Sequence, residues 1–173
     1  MPSARLPRSL FFAIALAASA RFFYLYPLLP DVMASHFGPS GAPNGWMPKS
    51  MFFLVYAFTV ALGVVVVFVP ARAVAKAPVS SINLPNKEYW LAPERRAETV
   101  AFFERSFAWF GSILLLLVTM VLDFACTANF QTPPVLPVRT VIPCIVLFVL
   151  YTILWVIHIA RHFSASVSSS PRT

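Results

Sequence analysis

Charge is scarce in this chain. Only 11% of its 173 residues are Asp, Glu, Lys or Arg, where an average soluble domain carries about 25%. That shortage excludes an ordinary water-soluble fold and a highly charged disordered chain. Cysteine is nearly missing too: two residues cannot build a secreted disulfide scaffold. The six carboxylates, four of them between Glu88 and Glu104, offer no paired acid and base. No Walker loop, Gly-rich dinucleotide turn, H-E-x-x-H, C-x-x-C or nucleophile elbow is present. An enzyme and a cofactor are therefore not expected, nor does any internal repeat point to a transporter.

What the chain has in quantity is apolar side chains, at 59% of residues, with a mean hydropathy of +0.77. Four runs reach the length of about 20 residues that a bilayer demands: 9–29, 51–69, 107–128 and 140–159. Without water to satisfy backbone groups, each must be helical. The expected fold is thus an all-α integral membrane protein, one domain forming a four-transmembrane-helix bundle. Lys and Arg set its direction. Arg5, Arg8, Arg72, Lys76, Lys87, Arg95, Arg96, Arg105, Arg161 and Arg172 fall on one side, Lys49 and Arg139 on the other, and Arg21 lies inside the first span. This bias puts both termini and a connection over 70–106 in the cytoplasm, consistent with a bacterial inner membrane. The net charge of +7 then reflects topology and contact with anionic lipid, and nucleic acid is not an expected partner. Aromatic belts fit the same scheme, with Phe22, Phe23, Tyr24, Tyr26 and Trp46 at the outer boundary and Trp90, Trp109 and Trp155 at the inner one.

Arg5, Arg8, the apolar stretch after them and Ala18-Ser19-Ala20 also fit a cleavable secretory signal. Apolar character resumes at once with Phe22-Phe23-Tyr24-Leu25, which favours an uncleaved first span. At the other end, residues 164–173 read as a disordered Ser-rich tail.

Between the first two spans, residues 27–49 hold three glycines and five prolines, too many for a long helix. A compact outer loop is expected, with Pro43-Asn44-Gly45 as its β-turn. Phe37 and Trp46 would anchor it, and Asp31, His36, Asn44 and Lys49 would supply polar groups for a ligand or partner. The pattern P-x-x-P-D-x-x-x-x-H-F-x-x-x-G-x-P-N-G-W-x-x-K resembles the signature of a small bacterial membrane family, the domain of unknown function sixteen-forty-eight. Pro30, His36, Phe37, Gly41, Pro43, Gly45, Trp46 and Lys49 are the matching positions. That domain is also the N-terminal part of SdpI-type immunity proteins, which protect against a membrane-active toxin peptide. The resemblance implies binding or sensing at the outer face, of a peptide, a lipid or a membrane-protein partner. The alternative from another class is an accessory subunit of a larger membrane complex, motivated by seventeen phenylalanines. For His36 two readings stand: a hydrogen bond to loop backbone that fixes the turn, or a ligand- or pH-sensing group tuned by Asp31 or Lys49.

Two charges lie inside spans, where each costs at least about 2.5–3.5 kcal/mol on insertion scales. Arg21 and Asp123 differ in depth by about one turn, a gap that snorkelling can close, so an Arg21–Asp123 ion pair is expected. Either it glues helices together or it marks a polar cavity. Asp123 shares its helix face with Thr119, Cys126 and Thr127. In the cytoplasmic connection, Leu84-Pro85-Asn86-Lys87 is a turn signal, Tyr89-Trp90-Leu91 should lie half wet at the headgroups, and Pro93 and Glu94 open a helix continuous with the third span. On the fourth span Tyr151, Trp155, His158 and His162 share a face. His158 and His162 have a metal-binding spacing, but no third ligand is evident, so an interfacial stripe is the leading reading. Cys126 and Cys144 sit at the outer ends of their spans, as packing thiols or, less commonly, a disulfide.

Overall fold

The computed structural model describes residues 4–165. Its order is α1 (Arg5–Leu25), a 3-10 turn (Tyr26–Leu28), β1 (Val32–Phe37), β2 (Pro43–Pro48), α2 (Lys49–Lys76), a 3-10 turn (Val79–Ser81), α3 (Lys87–Trp90), α4 (Pro93–Ala128) and α5 (Val138–Ala165). Four of these helices are long and apolar enough to cross a membrane; α2, α4 and α5 extend beyond their expected apolar spans, whereas α1 begins earlier and gives way to the 3-10 turn before residue 29. The chain is a multi-pass membrane protein by length and composition. The disordered tail expected from residue 164 lies almost wholly outside the described residues.

The fold is not all-α, because the segment between α1 and α2 is an antiparallel β-hairpin. Pro43-Asn44-Gly45 is not its turn but the start of β2. The reversal lies at 38–42, where Gly41 takes φ +84° and Gly38 N–H donates to Ala42 O at 2.8 Å. Gly41 supplies that conformation without a Cβ penalty, whereas the Pro-Asn-Gly signal is local and is overridden by cross-strand pairing.

α4 is the axis, packing against α1, α2 and α5. Lipid gives no hydrophobic drive between helices, so small residues that admit close approach decide the contacts. Gly63 of α2 faces the Phe11 ring, at 3.3 Å from where its Cβ would stand, and Gly111 of α4 lies directly against Val67. Phe11, Val67, Ala108 and Leu115 close this middle layer. At the hairpin end a second cluster gathers Phe22, Leu25, Leu29, Met33, Phe52, Tyr56 and Cys126. Phe22 stacks on Tyr56 at 4.1 Å and 8°. Phe22 is therefore core, not part of a lipid-facing belt.

At the opposite end Trp90, Phe102 and Phe163 form the third cluster. Trp90 and Leu91 are buried there and not half wet. The reason is polar: Trp90 Nε1 and Asn86 Nδ2 both donate to Phe163 O near the end of α5, at 3.1 and 3.0 Å. Arg96 does the same for α2, donating to Val74 O at 3.2 and 3.0 Å and also to Ala77 O. Pro93 opens α4, which runs unbroken to Ala128. The stripe on α5 is its packing face: His162 stacks on Phe102 at 4.0 Å and Trp155 on Phe110 at 4.4 Å.

A Cβ at Gly111 would collide with a Val67 methyl. Gly111→Ala is expected to destabilise the protein by about 1–3 kcal/mol through overpacking, read as a lower unfolding temperature in detergent. Val67→Ala in the same chain should recover most of the loss, giving a non-additive cycle.

Candidate functional site

The hairpin is built by pairing Val32 with Pro48, Met33 with Met47, Ala34 with Trp46, His36 with Gly45 and Phe37 with Pro43. A bulge at Ser35 breaks the simple alternation, as an extra residue on one strand does. Met33 is fully buried against the helix ends, and Phe37 and Met47 pack on the same cluster.

Three fastenings hold the hairpin. Along its side, Asn129 completes the exposed edge of β1: Ala34 N–H donates to Asn129 Oδ1 at 2.8 Å, and Asn129 Nδ2 donates to Ala34 O at 2.9 Å. The side-chain amide thus imitates a neighbouring strand. At the base, Lys49 Nζ lies 2.8 Å from Asp31 Oδ1 while Lys49 N–H donates to Asp31 O at 2.9 Å. At the tip, Leu136 N–H donates to Gly41 O at 2.9 Å, and any Cβ on Gly41 would collide with Leu136 O.

These contacts give most motif positions a structural reason. His36 packs across Gly45, whose missing Cβ would stand 2.9 Å from the His36 Cβ. Among the described residues the His36 side chain has no hydrogen bond or ion pair that would fix the turn, and it is exposed. Asp31 and Lys49 pair with each other at the far end of β1 and are not beside His36. Asn44 and Trp46 are also exposed, Trp46 at 54%, beside Val32 at 57%. The hairpin thus presents uncovered groups on a backbone that is tied down on three sides.

Lys49 holds the Asp31 carboxyl below the ordinary carboxylate range, first by its hydrogen bond and then by its charge. A depressed folded-state value means that the contribution is complete above the usual carboxylate pKa and is lost as pH falls through the lowered one. Asp31 is fully exposed at the surface, so the bridge is a weak fastening compared with Asn129.

Below the hairpin, Arg21 Nε sits 3.0 Å from Asp123 Oδ1. The depth difference read from the spans disappears once the helix ends are known. Arg21 is four residues from the end of α1 and Asp123 five from the end of α4, so both lie about 6–7.5 Å inside. The pair borders a cavity of about 310 Å³ between α1 and α4, lined also by Ala17, Tyr56, Thr119 and Cys126. The Tyr56 hydroxyl is buried, with Ser19 as its hydroxyl neighbour. Cys126 and Cys144 are both free thiols, the first buried and the second facing a groove between α4 and α5. Among the described residues no three His, Cys, Asp or Glu side chains converge to hold a metal ion, His158 and His162 included.

Asn129 and Tyr56 escaped the sequence reading. Each has a signal in retrospect: an amide immediately beyond an apolar run, and a hydroxyl inside one. Residues 11–60, from α1 through the hairpin into α2, match the family model described as Domain of unknown function (DUF1648). This is the family that the loop pattern resembles. No curated protein and no solved structure matches the chain.

Replacing Asn129 with Ala leaves the Ala34 N–H and C=O of a buried residue unpaired, at a cost of about 1–3 kcal/mol for each orphaned group. Asn129→Ala is expected to speed amide exchange at Ala34 and to loosen the hairpin while leaving helix content intact, measured by hydrogen exchange and circular dichroism. Asp31→Asn should leave neutral-pH stability nearly unchanged and remove the acid-side loss described above, followed through Trp46 fluorescence on titration.

Proposed function

We propose that this is a non-catalytic binding or sensing protein of the bacterial cytoplasmic membrane, with its hairpin outside and both termini in the cytoplasm. The hairpin is its recognition element, engaging a peptide or a membrane-protein partner. One observation carries the reading: the hairpin is fastened at base, side and tip while Val32, His36, Asn44 and Trp46 stay uncovered. A segment that only connected two helices would not need such anchorage, and preorganised exposed groups are what recognition uses. An exposed Trp flanked by a ring donor and an amide is the kind of side-chain set that dominates binding energy at interfaces.

Charge supports the orientation. Nine Lys and Arg among the described residues belong to the end opposite the hairpin, and Lys49 and Arg139 to the hairpin end. A second reading, an accessory subunit of a larger membrane complex, is favoured by α5. Only 6% of its apolar window is buried in the chain, against 28% for α4, which leaves most of that helix for lipid or another subunit.

In a background lacking Cys126 and Cys144, a cysteine replacing Asn44 is expected to react with an impermeant maleimide in intact cells. A cysteine replacing Ser81 should react only after permeabilisation; the reverse pattern overturns the orientation. Photo-crosslinking from position 46 should then give a discrete adduct that His36→Ala abolishes, with none from Leu54 on the lipid face. Stoichiometric co-purification of one larger neighbour, crosslinked from α5 positions, would favour the subunit instead.

A further inference from the structure

An ion pair inside a bilayer normally hides both of its charges. This one does not. The Arg21 and Asp123 side chains remain 49% and 35% exposed, and they meet through a single Nε–Oδ1 contact. Among the described residues the Arg21 Nη groups and Asp123 Oδ2 have no hydrogen bond or ion pair. Both residues open into the cavity between α1 and α4, whose walls are otherwise largely apolar and whose floor is kept low by Ala17 and Ala18. Tyr56, a residue only 5% exposed, forms part of its inner wall.

The depth of the pair is informative. At about 6–7.5 Å inside the helix ends, it lies within snorkelling reach of the boundary where phosphates and glycerol esters sit. Apolar walls below and polar donors above match an amphiphile with its chain down. The charges then discriminate among headgroups. A lone arginine would take any anionic lipid. Here a carboxylate stands 3.0 Å from the guanidinium, so a headgroup with only negative charge meets repulsion from Asp123. A headgroup carrying both a phosphate and a cation satisfies both partners. The cation must also donate hydrogen bonds to fill the free carboxylate oxygen, which a primary ammonium does and a quaternary one cannot.

We propose that the groove between α1 and α4 holds one phosphatidylethanolamine-type lipid, its phosphate on Arg21, its ammonium on Asp123 and one acyl chain in the cavity. This site uses none of the exposed hairpin residues and does not rest on the hairpin's role.

Native mass spectrometry of the detergent-solubilised protein tests it, with phosphatidylethanolamine, phosphatidylcholine and phosphatidylglycerol of identical acyl chains added in turn. One ethanolamine lipid is expected to be retained about tenfold better than the choline lipid, one decade in affinity. Equal retention of the two, or preference for the glycerol lipid, overturns the proposal. Asp123→Asn, close to isosteric, should invert the order in favour of the glycerol lipid because Arg21 keeps its charge; an unchanged order counts against the site. Ala17→Leu fills the groove without touching the pair and should reduce ethanolamine-lipid retention several-fold with helix content unchanged; undiminished retention would place the lipid elsewhere.

Discussion

Backbone groups that cannot reach water must find partners within the chain, and most of the long-range polar contacts here answer that demand. A helix leaves its last carbonyls without internal donors, and in or near a bilayer each orphan costs several kcal/mol. α2 has Arg96 on the Val74 and Ala77 carbonyls, and α5 has Asn86 and Trp90 on Phe163 O. Leu29 O, beyond the end of α1, accepts from Lys49, while Ser112 of α4 adds a second donor to the Pro7 carbonyl in that helix's first turn. β1 has a sheet edge in place of a helix end, and Asn129 covers it. Each donor comes from a different element than the one it completes, so satisfying the backbone also fixes how the elements sit. The stretch from Leu84 to Arg96 does this for two helices at once, which accounts for its density of polar and aromatic residues without invoking a partner.

The same demand explains why the segment between α1 and α2 is a hairpin. Prolines at 27, 30, 39, 43 and 48 remove donors that a helix would need, while paired strands need only alternate ones. Prolines at both ends of β2 also blunt its outer edge. Glycines fall where backbones or rings come closest: Gly41 under Leu136 and Gly45 under His36. The motif shared with the DUF1648 model is therefore mainly a recipe for a short sheet seated on helix ends. Its side chains left over after that accounting, His36, Asn44 and Trp46, are the ones without a structural task in the chain beyond local packing.

How much of this was legible depended on range. Four helices could be read directly, because bilayer-length apolar runs have one solution and need no knowledge of neighbours. The opening of α4 at Pro93 was legible for a similar reason, its signal being local. The ion pair was reachable too, since Arg21 and Asp123 are conspicuous in apolar surroundings. The hairpin was not. Its strands are short, their alternation is interrupted by the bulge at Ser35, and the local turn signal at Pro43-Asn44-Gly45 points to the wrong residues. The buried state of Trp90 was hidden because its partner, Phe163 O, lies 73 residues away. Asn129 was hidden likewise, 95 residues from the backbone it completes. Pattern reading finds what a residue demands of its sequence neighbours and misses what it supplies to distant ones.

That distinction bears on the Arg21–Asp123 pair. Like the Arg8–Glu104 pair between the same two helices, it completes no backbone group: its two side chains answer only each other, through one contact. A pair serving as packing glue gains by closing every donor and acceptor, since an unfilled one in a low dielectric is a cost with no return. Helix association at this level is already provided by Phe22 stacked on Tyr56 and by the cluster reaching to Cys126. The groove keeps alanines and two half-open charges next to a cavity. Open valences of this kind call for a partner from outside the chain, and the lipid headgroup proposed above is one that answers both charges at once.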